Sequence, residues 1–303
     1  MAGGQERTLR RRIKSVQSTK KITRAMELIA ASRIVRAMGR IASARPYYRE
    51  LSNIVRDLAR AAGIPRSPYT EPIRGDLPEV LIAVTSDRGL CGGFNSSVLR
   101  RVEETMKARE RAGNETLVVA VGKKAQAYFR YRSIPVVREV LTVTDRPNFS
   151  HVTEILGDLL ARFEAGEIGA IRVASYRFIS AGTQRLALEQ LVPIVREELQ
   201  LEAKDHDLGL DFEFEPSSEL IVLPLMRQFT EAKLFALLLE ASASEHAARQ
   251  RAMKAASDNA DELAKVYRRQ LNRARQDSIT NEIMEIVGGA EALSQSGSGG
   301  DHE

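Results

Sequence analysis

"IVRAMGRIASARPYYRELSNIVRDL", residues 34–58, returns an apolar or small side chain every three or four positions: Ile34, Met38, Ile41, Ala44, Tyr48, Leu51, Val55 and Leu58. Sustained for more than three heptads, that period is the seam of a coiled coil. Outward toward the N-terminus the pattern continues to about residue 5, predicting one helix across residues 1–60. Pro46 lies inside it and cannot donate to the carbonyl of Ala42, so a local bend is expected there. Beyond the seam, residues 61–78 carry four prolines and two glycines, which end the helix and read as a linker.

From residue 79 to 195 the period changes. Short β-branched runs, "EVLIAVTS", "TLVVAVG", "IPVVREVLTV", "GAIRVASYRFIS" and "RLALEQLVPI", alternate with helical stretches near 97–111, 123–132 and 150–165. This alternation predicts an α/β domain with a mainly parallel, Rossmann-like sheet. Only "AGTQ" separates the last two runs, so they are expected to form an antiparallel hairpin at one edge.

Residues 196–217 form an acidic connector, and residues 218–293 read as a second long helix. Ser217 or Ser218 is the expected N-cap, and Pro224 interrupts the first turns. Its inner stripe is small, with Ala241, Ala248, Ala252 and Ala255 in line and Ala256 and Ala260 beside them. Leu263, Val266, Leu271, Ile279, Ile283 and Ile286 widen the apolar face toward the end. Because the first helix is the shorter, one end of the second is expected to stand alone or be clasped by another protein. Residues 294–303 read as a disordered, solvated tail.

Composition supports this plan. Of 303 residues 43% are hydrophobic and only 5% aromatic, with no Trp, a balance that leans toward long helices. No apolar run reaches the eighteen or so residues of a membrane span. The opening "MAGGQERTLRRR" lacks the apolar core of a secretory signal. A single cysteine, Cys91, excludes an internal disulfide framework and a thiolate-rich zinc site, and His151, His206, His246 and His302 are scattered without metal-ligand spacing. Charge is lopsided. Residues 1–60 hold fifteen Lys or Arg and four Asp or Glu, whereas residues 197–219 hold nine acids and one lysine. Such separation marks surfaces facing different partners.

Three features invite a chemical reading. The turn "TSDRGLCGGFNSS", residues 85–97, follows a strand and precedes a helix, where a phosphate cradle would lie. Its spacing of Gly89, Gly92 and Gly93 fits neither G-x-G-x-x-G nor G-x-x-x-x-G-K-[ST]. Gly92 and Gly93 are instead expected to supply positive φ, with Asn95 or Ser96 capping the helix. Cys91 has no histidine paired with it in sequence and reads as packing. The basic first helix could track the phosphates of a nucleic acid, but its regular seam and lack of interleaved aromatic residues favour a partner-facing helix.

Three segments together closely resemble the gamma subunit of F-type ATP synthases: "SVQSTKKITRAMELIAASRI" (15–34), "TSDRGLCGGFN" (85–95) and "ARQDSITNEIMEIVGGAEAL" (274–293). The last is the most specific, its pattern carried by Ile279, Thr280, Glu282, Glu285, Gly289 and Ala290. The resemblance extends over essentially the whole chain. It implies a rotor shaft in which the terminal helices form a long, antiparallel, left-handed coiled coil inside a ring of three alpha and three beta subunits. It also implies that catalysis belongs to beta, so no catalytic, cofactor or metal residues and no nucleic-acid partner are expected. The α/β domain would lie outside the ring and meet the epsilon subunit and the c ring, with one copy per complex. The location implied is peripheral, on the cytoplasmic side of a bacterial inner membrane. Matching motifs place Lys20, Lys21, Arg24, Met26, Arg275, Gln276 and Thr280 against the alpha/beta ring, and Phe212, Phe214 and Glu215 toward epsilon and the c ring. Plastid relatives carry a redox cysteine pair, which one cysteine cannot form.

Overall fold

A computed structural model describes residues 2–61, 67–194 and 218–297. In chain order the elements are α1 (Ala2–Ala61), β1 (Glu79–Val84), α2 (Phe94–Arg111), β2 (Thr116–Val121), α3 (Lys123–Tyr131), β3 (Arg138–Val140), α4 (Phe149–Leu156), α5 (Leu159–Glu164), β4 (Ala170–Phe178), β5 (Gln184–Val192) and α6 (Ser218–Gly297). Two compact units are distinguished. Ile29–Ala252 forms one, and Met1–Leu28 with Met253–Glu303 forms the other. The long helices α1 and α6 contribute to both.

Within Ile29–Ala252 the sheet order is β3-β2-β1-β4-β5. Neighbours β3/β2, β2/β1 and β1/β4 are parallel, and β5 runs antiparallel to β4 at the edge. Central β1 pairs Glu79 with Thr116 on one side and with Ala170 on the other. All six of its residues are buried, because both faces of a parallel sheet are covered. Alternation sorts them. Val80, Ile82 and Val84 join a core with Ile155, Leu159 and Phe163, together with Val55 of α1 and Leu234 and Leu238 of α6. Leu81 and Ala83 face Val98 and Val102 of α2 and Phe129 of α3. The buried Glu79 carboxylate, at the start of β1, is held by Arg109 at 2.9 Å and Arg172 at 3.3 Å.

The stretch expected as one helix over 150–165 is two, α4 and α5. Gly157, at φ +47°, caps α4, and a Cβ there would strike the Arg138 guanidinium, so glycine is required where the chain turns. At its other end α4 starts with a reciprocal cap: His151 N donates to Asn148 Oδ1, and Asn148 N donates to His151 Nδ1.

Pro46 and Pro224 both lie inside uninterrupted helices. Of the seam expected in α1, Ile34, Leu51 and Val55 are buried, but Met38 is 44% exposed and Ala37 takes the inner position. Tyr48 stacks on Phe229 of α6, ring centroids 5.7 Å apart. From Ala241 to Ala247 every residue of α6 is buried; five of these seven are Ala or Ser, small enough for neighbouring elements to pack closely on all sides.

In the other unit, α1 and α6 run antiparallel. Arg12 lies over the Tyr267 ring, Lys20 meets Asp261 and Thr23 meets Ser257, so partners descend on one helix as they rise on the other. The buried line on α6 is Met253, Ser257, Ala260 and Ala264, with alternating four- and three-residue steps. It differs from the expected alanine stripe: Ala255 is exposed and Ala256 half-buried. Alanine suits any position of a helix, so its spacing alone does not identify the inner face. No helix among the described residues is long and apolar enough to cross a membrane.

Candidate partner-contact surfaces

The glycine-rich turn sits where the strand order reverses, between the ends of β1 and β4. In sheets of this order that crevice is where ligands bind. Here it is built as a structural joint. Asn95 Oδ1 accepts from Ser86 N at 2.9 Å, and Asn95 Nδ2 donates to Ser86 Oγ at 2.8 Å and to Cys91 Sγ at 3.2 Å. Neither Asn95 nor Ser96 caps α2; the N-cap is Gly93, with no side-chain hydrogen bond. Asn95 is spent on closing the turn. Positive φ falls on Leu90 and Gly92 and not on Gly93, whose φ is −80°.

Helix α6 crosses the same place. Ser244, Ala248 and Ala252 line a pocket there of about 450 Å³ with Gly92, Phe94 and Tyr176, and Phe94 stacks on Tyr176 at 5.0 Å. Arg249 ties α6 to the turn, donating to the carbonyls of Arg88 at 3.1 Å and Gly89 at 3.3 Å. It is itself buried and paired with Glu245 at 2.7 Å. Cys91 is buried, and burial pushes its thiol above the ordinary range; the packing reading of this residue agrees with that environment.

The residues read as ring contacts lie at two places. On α1, Lys20 is half-buried and its Nζ reaches Asp261 Oδ1 at 2.6 Å. This hydrogen bond, and the charge behind it, hold the Asp261 carboxyl below its usual range. Lys21 and Arg24 are exposed, Arg24 pairing with Glu27 at 2.7 Å, and Met26 is half-buried. On α6, Arg275, Gln276 and Thr280 are exposed, and the Thr280 hydroxyl donates to the Gln276 carbonyl at 3.0 Å. Close by, Ile283, Met284, Ile286 and Val287 are each more than half exposed. The antiparallel register of α1 and α6 leaves these last turns past the N-terminus of α1. Phe212, Phe214 and Glu215 lie outside the described residues.

Sequence reading missed the charged groups gathered around α6. Arg249, Glu245 and His246 are buried, and Arg33 of α1 forms an ion pair with Asp145 of the β3–α4 loop. The signal was available: "SEHAAR", residues 244–249, interrupts an alanine-rich run with three ionisable residues, and buried charges require partners.

These features define a protein of two long, antiparallel helices built into an α/β unit. A family model described as ATP synthase matches residues 5–293. An ATP synthase gamma chain of Parafrankia sp. is 43% identical over 298 residues, covering 96% of this chain and 98% of that one. The gamma chain of Frankia casuarinae is 45% identical over 294 residues, with 96% and 98% covered. Among solved structures, a chain of the Euglena gracilis mitochondrial ATP synthase, from the OSCP/F1/c-ring assembly in rotational state 3, aligns with a TM-score of 0.63 at 18% identity. That alignment covers 99% of each chain and shows the shared fold. The chain belongs to the ATP synthase gamma-chain family.

Proposed function

We propose that this chain is the central-stalk rotor subunit of an F-type ATP synthase, turning with a membrane ion-driven c ring and imposing successive conformations on catalytic beta subunits. The observation that carries the reading is the antiparallel register of α1 and α6, which leaves Ile279–Val287 exposed past the start of α1. A single asymmetric shaft within a ring of three equivalent sites contacts each site differently, and differential contacts are what couple one equilibrium to another. Rotation then permutes those contacts. In this reading the chain is one copy beside three alpha and three beta subunits and carries no catalytic group. It is held at the cytoplasmic face of a bacterial membrane through its partners.

Lys20, Lys21, Arg24 and Met26 on α1, and Arg275, Gln276 and Thr280 on α6, are assigned to the ring. Exposed guanidinium and amide groups suit charge-assisted hydrogen bonds to acidic loops. Phe212, Phe214 and Glu215 are assigned to the epsilon and c-ring side. The purified chain should hydrolyse no ATP, and mixed with alpha and beta it should enter a single-copy complex that does. Failure to copurify with the ring would refute the assignment. Within such a complex Met26→Lys, which adds a cation beside Thr23 and Glu27, should lower the ions pumped per ATP more than it lowers assembly. Equal pumping per ATP would remove Met26 from the contact.

A further inference from the structure

A second feature of the Ile29–Ala252 unit lies apart from the residues assigned to the ring. A groove of about 640 Å³ is lined by Arg33, Arg36 and Arg40 of α1, by Asp145 and Arg146 of the β3–α4 loop, and by His246 of α6. The three α1 arginines follow three- and four-residue steps and so share one face of the helix. Like charges so placed repel one another. The Arg40 guanidinium is lowered from its ordinary range first by burial and then by the charge of Arg146, with Asp145 opposing and Arg36 adding to the shift. Asp145 is the one acid in the lining, and Arg33 already binds it while Arg88 stands 3.9 Å from its other oxygen. Among the described residues Arg36, Arg40 and Arg146 have no ion-pair partner.

His246, in the same lining, carries a ring nitrogen without a partner. Its side chain is fully buried, and its Nδ1 lies 3.3 Å from Arg249 Nη1. A guanidinium only donates, so Nδ1 accepts and the ring proton resides on Nε2. That Nε2 has no hydrogen-bond partner among the described residues, and a buried donor without an acceptor is costly. Three guanidiniums without a direct ion pair and one buried N–H together suit a compact acceptor with several oxygens and negative charge. An acidic peptide would bring carboxylates on flexible stems, whereas one tetrahedral oxyanion can accept from forked guanidiniums and from Nε2–H at once.

We propose that this groove is a binding site for a phosphate-type oxyanion, held by Arg36, Arg40 and Arg146 with the His246 Nε2–H at its floor. Bound there, the anion would bridge α1, α6 and the β3–α4 loop of this unit and relieve the repulsion along α1.

The test is titration of the full-length chain with inorganic phosphate and with pyrophosphate at constant ionic strength, followed by calorimetry and by the ring NMR signals of His246. Saturable one-to-one binding is expected, with a shift of the His246 Nε2 resonance. Arg40→Gln and Arg146→Gln should each weaken affinity about tenfold, while Arg11→Gln, an exposed arginine of the other unit, should leave it unchanged. Arg146 lies exposed in a loop, so that variant tests the site without burdening the core. Non-saturating binding, equal weakening by Arg11→Gln, or an unmoved His246 signal would overturn the proposal. So would a glutamate-rich peptide that binds the groove while phosphate and pyrophosphate do not.

Discussion

Helices α1 and α6 meet twice and by different means. In the Met1–Leu28 and Met253–Glu303 unit their contact is thin and polar: a Thr23–Ser257 hydroxyl pair at 2.7 Å, the Lys20–Asp261 bridge and a line of small residues. In the Ile29–Ala252 unit the same two helices supply Leu51, Val55, Phe229, Leu234 and Leu238 to the core of an α/β sheet. Hydrophobic burial scales with the area removed from water. The second region therefore holds far more stabilisation per residue than the first. A helix pair with exposed outer faces keeps only a narrow seam, whereas one packed on a sheet buries a broad apolar face.

Truncating the core should show the contrast most strongly. Leu238→Ala removes a fully buried side chain and should cost about 3 kcal/mol in urea unfolding of the chain. A loss under a third of that would mean the core closes over the cavity. Acid should act next, and on the same unit. Burial first, then the charges of Arg249, Arg33 and Arg40 against that of Asp145, push His246 from its usual 6.5 down to about 4. The folded chain thus binds fewer protons than the unfolded one between these values, and stability falls as pH drops through that window. His246→Gln should flatten this slope; an unchanged slope would place the acid sensitivity elsewhere.

In the polar seam the expected effects are smaller. Thr23→Val leaves the buried Ser257 hydroxyl without its partner and should cost about 1 kcal/mol, part of which Thr23→Val with Ser257→Ala restores. Additive losses would show that the two hydroxyls do not interact. Smallest of all is the exposed bridge. Lys20→Met should leave the unfolding midpoint in place while the Asp261 carboxyl, observed by NMR titration, returns to its usual range. A shifted midpoint would make this bridge a structural element of the seam.

Much of the fold was legible because its signals are periodic. The strand-helix alternation of residues 79–194 follows from β-branched runs, and the antiparallel edge strand from the shortness of "AGTQ". Face assignments in the long helices were harder. Met38 and Ala37 are neighbours in sequence, and the apolar scale prefers the one that ends up outside. Alanines at 248, 252 and 255 carry no such preference at all. The turn at residues 85–97 could be cleared of a phosphate motif by spacing, yet the job of Asn95 depends on Ser86 across the turn, a contact with no periodic trace. His246 and Arg33 likewise meet the β3–α4 loop only after the chain has folded.

Cys91 carries a last consequence. It is the one thiol in the chain, buried within the turn, with its sulfur accepting from Asn95 and with the helix-borne Arg249 grasping the nearby carbonyls of Arg88 and Gly89. An alkylating reagent reaches such a sulfur only while that clasp is open and the thiol has ionised. Its modification rate is therefore a native clock for how often α6 lets go of the turn, readable by mass spectrometry without adding any label to the protein.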